Sequence, residues 1–195
     1  MRLREVLAGE SLNPTHIGLV TWAPQKLWRI YSPRFGPVGF NPSGVGNARF
    51  SPLEHRGVAV PTLYAGTTPE VALMETVLHD LPAHSAGFSV QIEERTETRR
   101  VASFTPEGEL VLVDLSTLGL RQLGLSRSDV IDCEKADYPG TRQLARWLYA
   151  NAPAAQGILW TSRQDDRAQA VVLFGDRLGS VTLDLQERDQ PFTDG

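Results

Sequence analysis

The stretch LYAGTTPEVALMETVLHD, residues 63–80, joins a short apolar segment directly to the start of a helix. The two threonines before Pro69 can accept hydrogen bonds from the first helical turn, and proline suits the first helical position because its N–H is not needed there. The sequence therefore predicts a strand over 62–66 and a helix over 69–80. These two elements are the starting point for the rest of the chain.

One residue of the predicted helix conflicts with its apolar face. Val71, Met74 and Leu78 recur at helical spacing and form an apolar stripe. Glu75 lies at the edge of this stripe, and burying an unpaired carboxylate costs several kcal/mol. Two explanations stay open: Glu75 pairs with a core-facing arginine, or it is a cleft carboxylate that acts on a bound substrate.

The remaining periodicity predicts a single α+β domain. The 195 residues suffice for one core, and residues 32–61 are rich in proline and glycine and are predicted as a loop. Short strands among few helices favour a mixed sheet over a doubly wound parallel one. Strands are predicted at 27–32, 87–92, 98–104, 109–115, 157–162, 169–175 and 180–185, and helical segments at 116–132 and 140–152.

Composition narrows the function classes. The net charge of −4 argues against a dedicated nucleic-acid surface, because phosphate contacts need clustered lysine and arginine. Cys133 is the single cysteine, so no intrachain disulfide is expected. The N-terminal residues form no signal-peptide pattern, and no apolar run reaches the ~18 residues of a membrane span. We expect a soluble, cytoplasmic protein.

Several residues are candidates for one cleft. Alternation in the strand 27–32 puts Arg29 and Tyr31 on the same face, and Tyr64 precedes the helix that carries Glu75. Arg49 ends the glycine-rich loop. Two guanidinium groups, two phenols and one carboxylate are the parts needed to hold a pyrophosphate and to stabilise positive charge that develops on a sugar carbon.

These residues lie in segments that resemble a known family. The chain is similar to the RES-domain toxins of bacterial toxin–antitoxin modules over residues 27–180. Phe50 stands where a Gly-Arg-Trp motif of the family usually has tryptophan. The matching segments are LWRIYS (27–32), GNARFSP (46–52), LYAGTTPEVALMETVLH (63–79) and GILWTSRQDDRAQAVVLFGDR (157–177).

The resemblance implies a fold related to the ADP-ribosyltransferase toxins and an activity on NAD. Such enzymes break the bond between nicotinamide and ribose and pass ADP-ribose to phosphate, water or a protein. By position, Arg29 and Arg49 would bind the phosphates, Tyr64 would pack near the nicotinamide or its ribose, and Glu75 would face the reacting ribose. NAD is then the substrate, and no metal or further cofactor is expected.

The hydroxyl of the family motif has two candidates. Ser162 matches by position, and Thr141, just before the helical segment RQLARWLY (142–149), could take the same role. The resemblance therefore implies a catalytic set and a set that binds the dinucleotide. The catalytic set is Glu75, Arg29, Tyr64 and Ser162, and the binding set is Arg49, Tyr31 and Thr141.

The resemblance also sets expectations for boundaries and partners. The RES domain is expected over 27–185, after an N-terminal extension at 1–26 and before a polar tail at 186–195. The usual partner is an Xre-family antitoxin with a helix-turn-helix motif. Nothing in this chain resembles that motif, so no direct contact with nucleic acid or membrane is expected. A monomer and a homodimer both stay open.

Other functions fit the sequence less well. A ribonuclease is disfavoured because the histidines at 16, 55, 79 and 84 form no evident acid/base pair and the net charge is negative. No metal-binding spacing of histidine and carboxylates is present. A protein ADP-ribosyltransferase that uses the same site remains an alternative, and so does a non-enzymatic binding module.

Overall fold

The computed structural model describes residues 3, 12–76, 99–163 and 165–191, with the backbone alone for 189–191. The predicted strand at 87–92 and residues 77–80 of the predicted helix lie outside the described residues.

An eight-stranded mixed sheet forms the centre of the described structure. Its strand order is β1-β7-β8-β9-β5-β2-β6-β10, in which β7 and β8 are parallel and the other neighbours are antiparallel. The strands are β1 Leu19–Trp22, β2 Leu27–Tyr31, β5 Thr62–Gly66, β6 Arg100–Pro106, β7 Leu110–Asp114, β8 Gly157–Thr161, β9 Gln169–Phe174 and β10 Leu183–Pro191.

Four α-helices accompany the sheet in the described residues. They are α1 Pro69–Thr76, α2 Thr117–Gln122, α3 Arg127–Val130 and α4 Tyr138–Asn151. Short 3-10 turns occur at Pro14–His16, Lys135–Asp137 and Gly175–Arg177. The prediction of a single α+β domain with a mixed sheet is confirmed.

Most predicted elements are found with small shifts at their ends. β5 has the predicted bounds, and α4 begins two residues before the predicted start because Pro139 occupies its first turn. The predicted last strand, 180–185, begins at Leu183 and continues to Pro191. β1 and β10 thus bring residues from both the expected N-terminal extension and the expected tail into the sheet.

The proline- and glycine-rich segment 32–61 is not entirely loop. It contains a short antiparallel hairpin, β3 Leu53–His55 and β4 Val58–Val60. Leu53 and Val60 pair across the hairpin and are both buried, which explains why this part of the segment is ordered against the core.

Each face of the sheet buries its own apolar cluster. In β9, Val172 belongs to the cluster that includes Leu144 and Leu148 of α4, whereas Val171 and Leu173 belong to the cluster on the opposite face. This alternation follows from the two-residue period of a strand. Tyr64 of β5 packs on the α4 side of the sheet.

Helix α1 begins where the sequence predicts. The Thr68 hydroxyl accepts a hydrogen bond from the Val71 N–H at 3.2 Å, so Thr68 caps the helix. Val71 and Ala72 are the buried residues of α1, and Met74 of the predicted stripe is only half-buried. Glu75 is half-buried one turn after Val71.

Gly66 lets α1 lie close to the sheet. A Cβ atom at this position would be 2.8 Å from the Ala72 backbone nitrogen and 2.8 Å from Val71 Cγ1, closer than real Cβ contacts. Only glycine therefore allows this end of β5 to meet the helix that carries Glu75.

No helix among the described residues is both long and apolar enough to cross a bilayer.

The change Gly66→Ala tests this close approach. We expect it to lower the free energy of unfolding by about 1–3 kcal/mol, because overpacking forces α1 away from β5. Gly108→Ala is the matched control, since its Cβ would meet Val181 Cγ2 at an ordinary 3.6 Å. Urea unfolding midpoints measure both variants, and equal midpoints would show that α1 is not held at this distance by Gly66.

Candidate active site

A cleft opens where two neighbouring strands of the sheet diverge. β2 and β5 pair at a single position, Trp28 with Gly66, and then separate. The cleft has a volume of about 330 Å³. Its walls include Arg29, Tyr31, Ser32, Asn41, Ser51, Thr62, Tyr64, Glu75, Thr76 and Arg99.

Arg29 lies in β2 and is 7% exposed. Its Nη1 group donates to the carbonyl oxygens of Gly39 at 2.7 Å and Pro37 at 3.2 Å, so the guanidinium holds the loop that follows β2. Burial lowers the pKa of Arg29 to about 10, which still leaves it cationic at neutral pH. The Tyr31 ring centroid lies 6.0 Å from the guanidinium carbon.

Tyr64 points its hydroxyl at the turn that contains Arg49. The oxygen accepts a hydrogen bond from the Phe50 N–H at 3.1 Å. Burial raises the pKa of Tyr64 to about 12, so the phenol is neutral. A neutral phenol that accepts from a backbone N–H still carries a hydrogen that it can donate.

Glu75 is held by a hydroxyl. The Ser162 Oγ donates to Glu75 Oε1 at 2.8 Å. Among the described residues, no arginine forms an ion pair with Glu75. Of the two explanations for this carboxylate, the described contacts thus favour a cleft residue over a structural ion pair.

Ser162 follows the last residue of β8 and is 1% exposed. Its backbone N–H donates to the Ala168 carbonyl at 3.1 Å, which closes the turn between β8 and β9. β9 lies between β8 and β5 in the sheet. The sheet order thus brings Ser162 to the helix that follows β5, although 87 residues separate Ser162 from Glu75.

Arg49 is not among the residues that line the cleft. It is 4% exposed, and its Nη1 group donates to the Val130 carbonyl at 2.9 Å and to Cys133 Sγ at 3.4 Å. Its guanidinium carbon lies 5.1 Å from the Tyr138 ring centroid. No described residue forms a hydrogen bond with its buried Nε and Nη2 groups. The positive charge of Arg49 opposes the rise that burial causes in the pKa of Tyr64.

Thr141 is fully buried in the first turns of α4. Its hydroxyl bonds to the Arg49 carbonyl and donates to the Tyr138 carbonyl at 3.0 Å. Thr141 therefore fixes the backbone of the Arg49 turn. Of the two candidate hydroxyls, Ser162 is the one that contacts Glu75.

Phe50 packs in the core behind the site. It is 1% exposed, and its ring meets the Trp160 ring edge-on with centroids 5.1 Å apart. Phe50 is thus a core residue. Its buried ring holds the turn in place, and its backbone N–H donates to the Tyr64 hydroxyl.

Arg99 lines the cleft and was not among the residues predicted from sequence. The antiparallel pairing of β6 with β2 brings it there, because Arg100 pairs with Tyr31 and Arg99 immediately precedes Arg100. The signal in the sequence is the pair of arginines at the start of a predicted strand. To place Arg99 in the cleft from this signal, one would need to know the register between β2 and β6, which are about seventy residues apart in the sequence.

The cleft thus combines a carboxylate fixed by a serine, a neutral phenol and two guanidinium groups. Arginines bind phosphate through paired hydrogen bonds, and a preorganised carboxylate stabilises developing positive charge. Groups of three or more histidine, cysteine or acidic side chains that could hold a metal ion do not occur in the described part of the chain.

Comparison with known proteins assigns the chain to a family. No curated protein is significantly similar to the chain. A family model described as RES domain matches residues 26–193, which is nearly the whole chain. The chain therefore belongs to the RES domain family, which is linked to NAD-related toxin activity.

Proposed function

We propose that this protein degrades NAD by cleaving the N-glycosidic bond between nicotinamide and ribose, with phosphate or water as the acceptor of ADP-ribose. The observation that carries the proposal is the carboxylate of Glu75, fixed by Ser162 at 2.8 Å in a cleft that also contains Arg29. Family membership supports NAD as the substrate. A cleft between diverging strands of a mixed sheet is consistent with a relation to ADP-ribosyltransferase folds.

The chemistry of NAD suits this set of groups. Nicotinamide carries a positive charge in NAD and leaves as a neutral molecule, so its departure needs no strong general acid. Positive charge develops on the ribose instead, and a nearby carboxylate lowers the energy of that oxocarbenium-like state. Glu75 takes this role in the proposal. The hydrogen bond from Ser162 keeps one carboxylate oxygen in a single orientation before the substrate reacts.

Tyr64 and the arginines would bind the rest of the substrate. The neutral phenol of Tyr64 can donate its hydrogen to a ribose oxygen, while its own oxygen accepts from the Phe50 N–H. Arg29 offers a cationic group on the β2 wall, next to the Tyr31 ring.

Arg49 and Thr141 take supporting roles in this proposal. Thr141 anchors the backbone of the turn that contains Arg49. Arg49 in turn donates to the carbonyl of Val130, the last residue of α3, and places a positive charge near Tyr64. Both residues would act on substrate binding through the position of the cleft wall.

Transfer of ADP-ribose to a protein is the alternative that uses the same cleft. The two reactions share every step up to departure of nicotinamide and differ in the acceptor. An Xre-family antitoxin is the proposed partner, because RES-domain toxins occur in modules with such proteins. A non-enzymatic binding module is the alternative of another class, and it predicts no consumption of NAD.

Removal of the charge on Glu75 tests the proposed role. Glu75→Gln keeps the shape of the side chain, and we expect kcat for nicotinamide release to fall by about 10²–10³, the loss typical for removal of one electrostatic stabiliser. Glu70→Gln is the matched control, because Glu70 is exposed on the same helix. Circular dichroism checks that both variants are folded. Unchanged turnover by Glu75→Gln would refute the role of the carboxylate.

Removal of the serine hydroxyl tests how the carboxylate is held. Ser162→Ala leaves Glu75 charged but without its donor, so we expect kcat to fall about tenfold or more, less than for Glu75→Gln. Ser180→Ala, at an exposed serine, is the control. Steady-state kinetics with NAD measure both. Wild-type kcat in Ser162→Ala would show that the hydrogen bond does not contribute.

The products separate the two enzyme activities. Incubation with NAD and inorganic phosphate is expected to release nicotinamide together with free ADP-ribose or its phosphate ester, in equal amounts by chromatography. NAD labelled in the adenosine half tests the alternative in parallel with cell extract. Label that appears on protein in stoichiometric amounts would contradict degradation and support a transferase.

A further inference from the structure

Two arginines line the cleft, and one of them, Arg29, is among the two predicted from sequence. Arg29 and Arg99 are wall residues, whereas Arg49 is buried and is not among the described wall residues. The described wall residues include two positively charged side chains, those of Arg29 and Arg99, and one negatively charged side chain, that of Glu75. The described cleft is therefore locally positive, although the chain as a whole has a net charge of −4. This charge distribution favours an anionic ligand.

The three guanidinium groups differ in how many donors remain available. Arg29 commits Nη1 to the carbonyls of Pro37 and Gly39, and Arg49 commits its Nη1 to Val130 and Cys133. In the residues that the structure describes, no hydrogen bond or ion pair uses the side chain of Arg99. With respect to the described residues, its five N–H donors are thus available to a ligand.

The position of Arg99 is fixed by the sheet. β6 pairs with β2 from Leu27–Phe104 to Tyr31–Arg100. Arg99 precedes this ladder by one residue and lies beside the end of β2, where the cleft begins. Its backbone carbonyl accepts a hydrogen bond from Arg100 Nη1 at 2.9 Å. The side chain is half-buried, so it is partly shielded from water before any ligand arrives.

We propose that Arg99 is a substrate-binding residue that holds the diphosphate of the dinucleotide. The proposal rests on the function proposed above. A planar guanidinium with free donors matches two oxygens of a phosphate group, and a partly buried position strengthens the interaction because less water competes for it. Arg99 sets specificity for a ligand with a diphosphate over a nucleoside that lacks one.

The test compares Arg99→Gln with Arg146→Gln. Both changes remove one positive charge, and Arg146 is exposed on α4 and is not among the described wall residues of the cleft. Titration calorimetry measures the Kd for ADP-ribose and for adenosine, which has no phosphate. We expect Arg99→Gln to weaken ADP-ribose binding about tenfold, the effect of losing one charge-assisted hydrogen-bonded contact, and to leave adenosine binding unchanged. Arg146→Gln should match the wild type with both ligands.

Kinetics with NAD give a second readout that loss of structure alone would not produce. Arg99→Gln should raise KM about tenfold with kcat within about twofold of the wild type, and Arg99→Lys should recover part of the loss. If Arg99→Gln and Arg146→Gln have the same Kd for ADP-ribose and the same KM for NAD, the role of Arg99 is overturned. It is also overturned if Arg99→Gln weakens adenosine binding as much as it weakens ADP-ribose binding.

The same measurements keep this inference separate from the proposed function. If the wild type binds ADP-ribose through Arg99 but releases no nicotinamide from NAD, the binding role stands and NAD degradation fails. If the wild type consumes NAD and Arg99→Gln binds ADP-ribose equally well, degradation stands and the role of Arg99 fails. A wild type that neither binds ADP-ribose nor consumes NAD contradicts both.

Discussion

The hydrogen bond from Ser162 Oγ to Glu75 Oε1 is the interaction on which the site depends. A half-buried carboxylate without a donor would be unfavourable, and its orientation would be free. The bond at 2.8 Å removes both problems without neutralising the charge, as an arginine partner would. The cleft therefore keeps a negative group available for a ligand that carries or develops positive charge. This explains why the helix places a carboxylate next to its apolar residues.

The sheet makes this bond possible. β8, β9 and β5 are consecutive strands, so the residue after β8 lies near the helix after β5. Gly66 brings that helix close to the sheet, and the single pairing between β2 and β5 leaves space for the cleft beside it. The same strands thus contribute to the apolar core and to the cleft. The buried apolar faces fix the strand positions, and the strand ends carry the polar groups of the site.

Local sequence signals predicted the elements but only part of the site. The bounds of β5 and the start of α1 follow from a threonine cap, Pro69 and an apolar strand, all within a few residues. Glu75 was identified because its charge conflicts with helical periodicity. Its partner could not be identified, because the contact with Ser162 depends on sheet order. The direction of Arg49 depends on Val130 and Cys133, which local patterns do not connect to it.

The family resemblance and the structure give different information about the arginines. The resemblance predicted that guanidinium groups bind a dinucleotide, and the strand register indicates which of them line the cleft.

The reaction proposed for this cleft is the cleavage of NAD. The most direct measurement follows NAD and nicotinamide over time with purified protein at several concentrations. The proposed reaction predicts equimolar loss of NAD and gain of nicotinamide, at a rate proportional to protein concentration. NAD that stays intact at every protein concentration would contradict it.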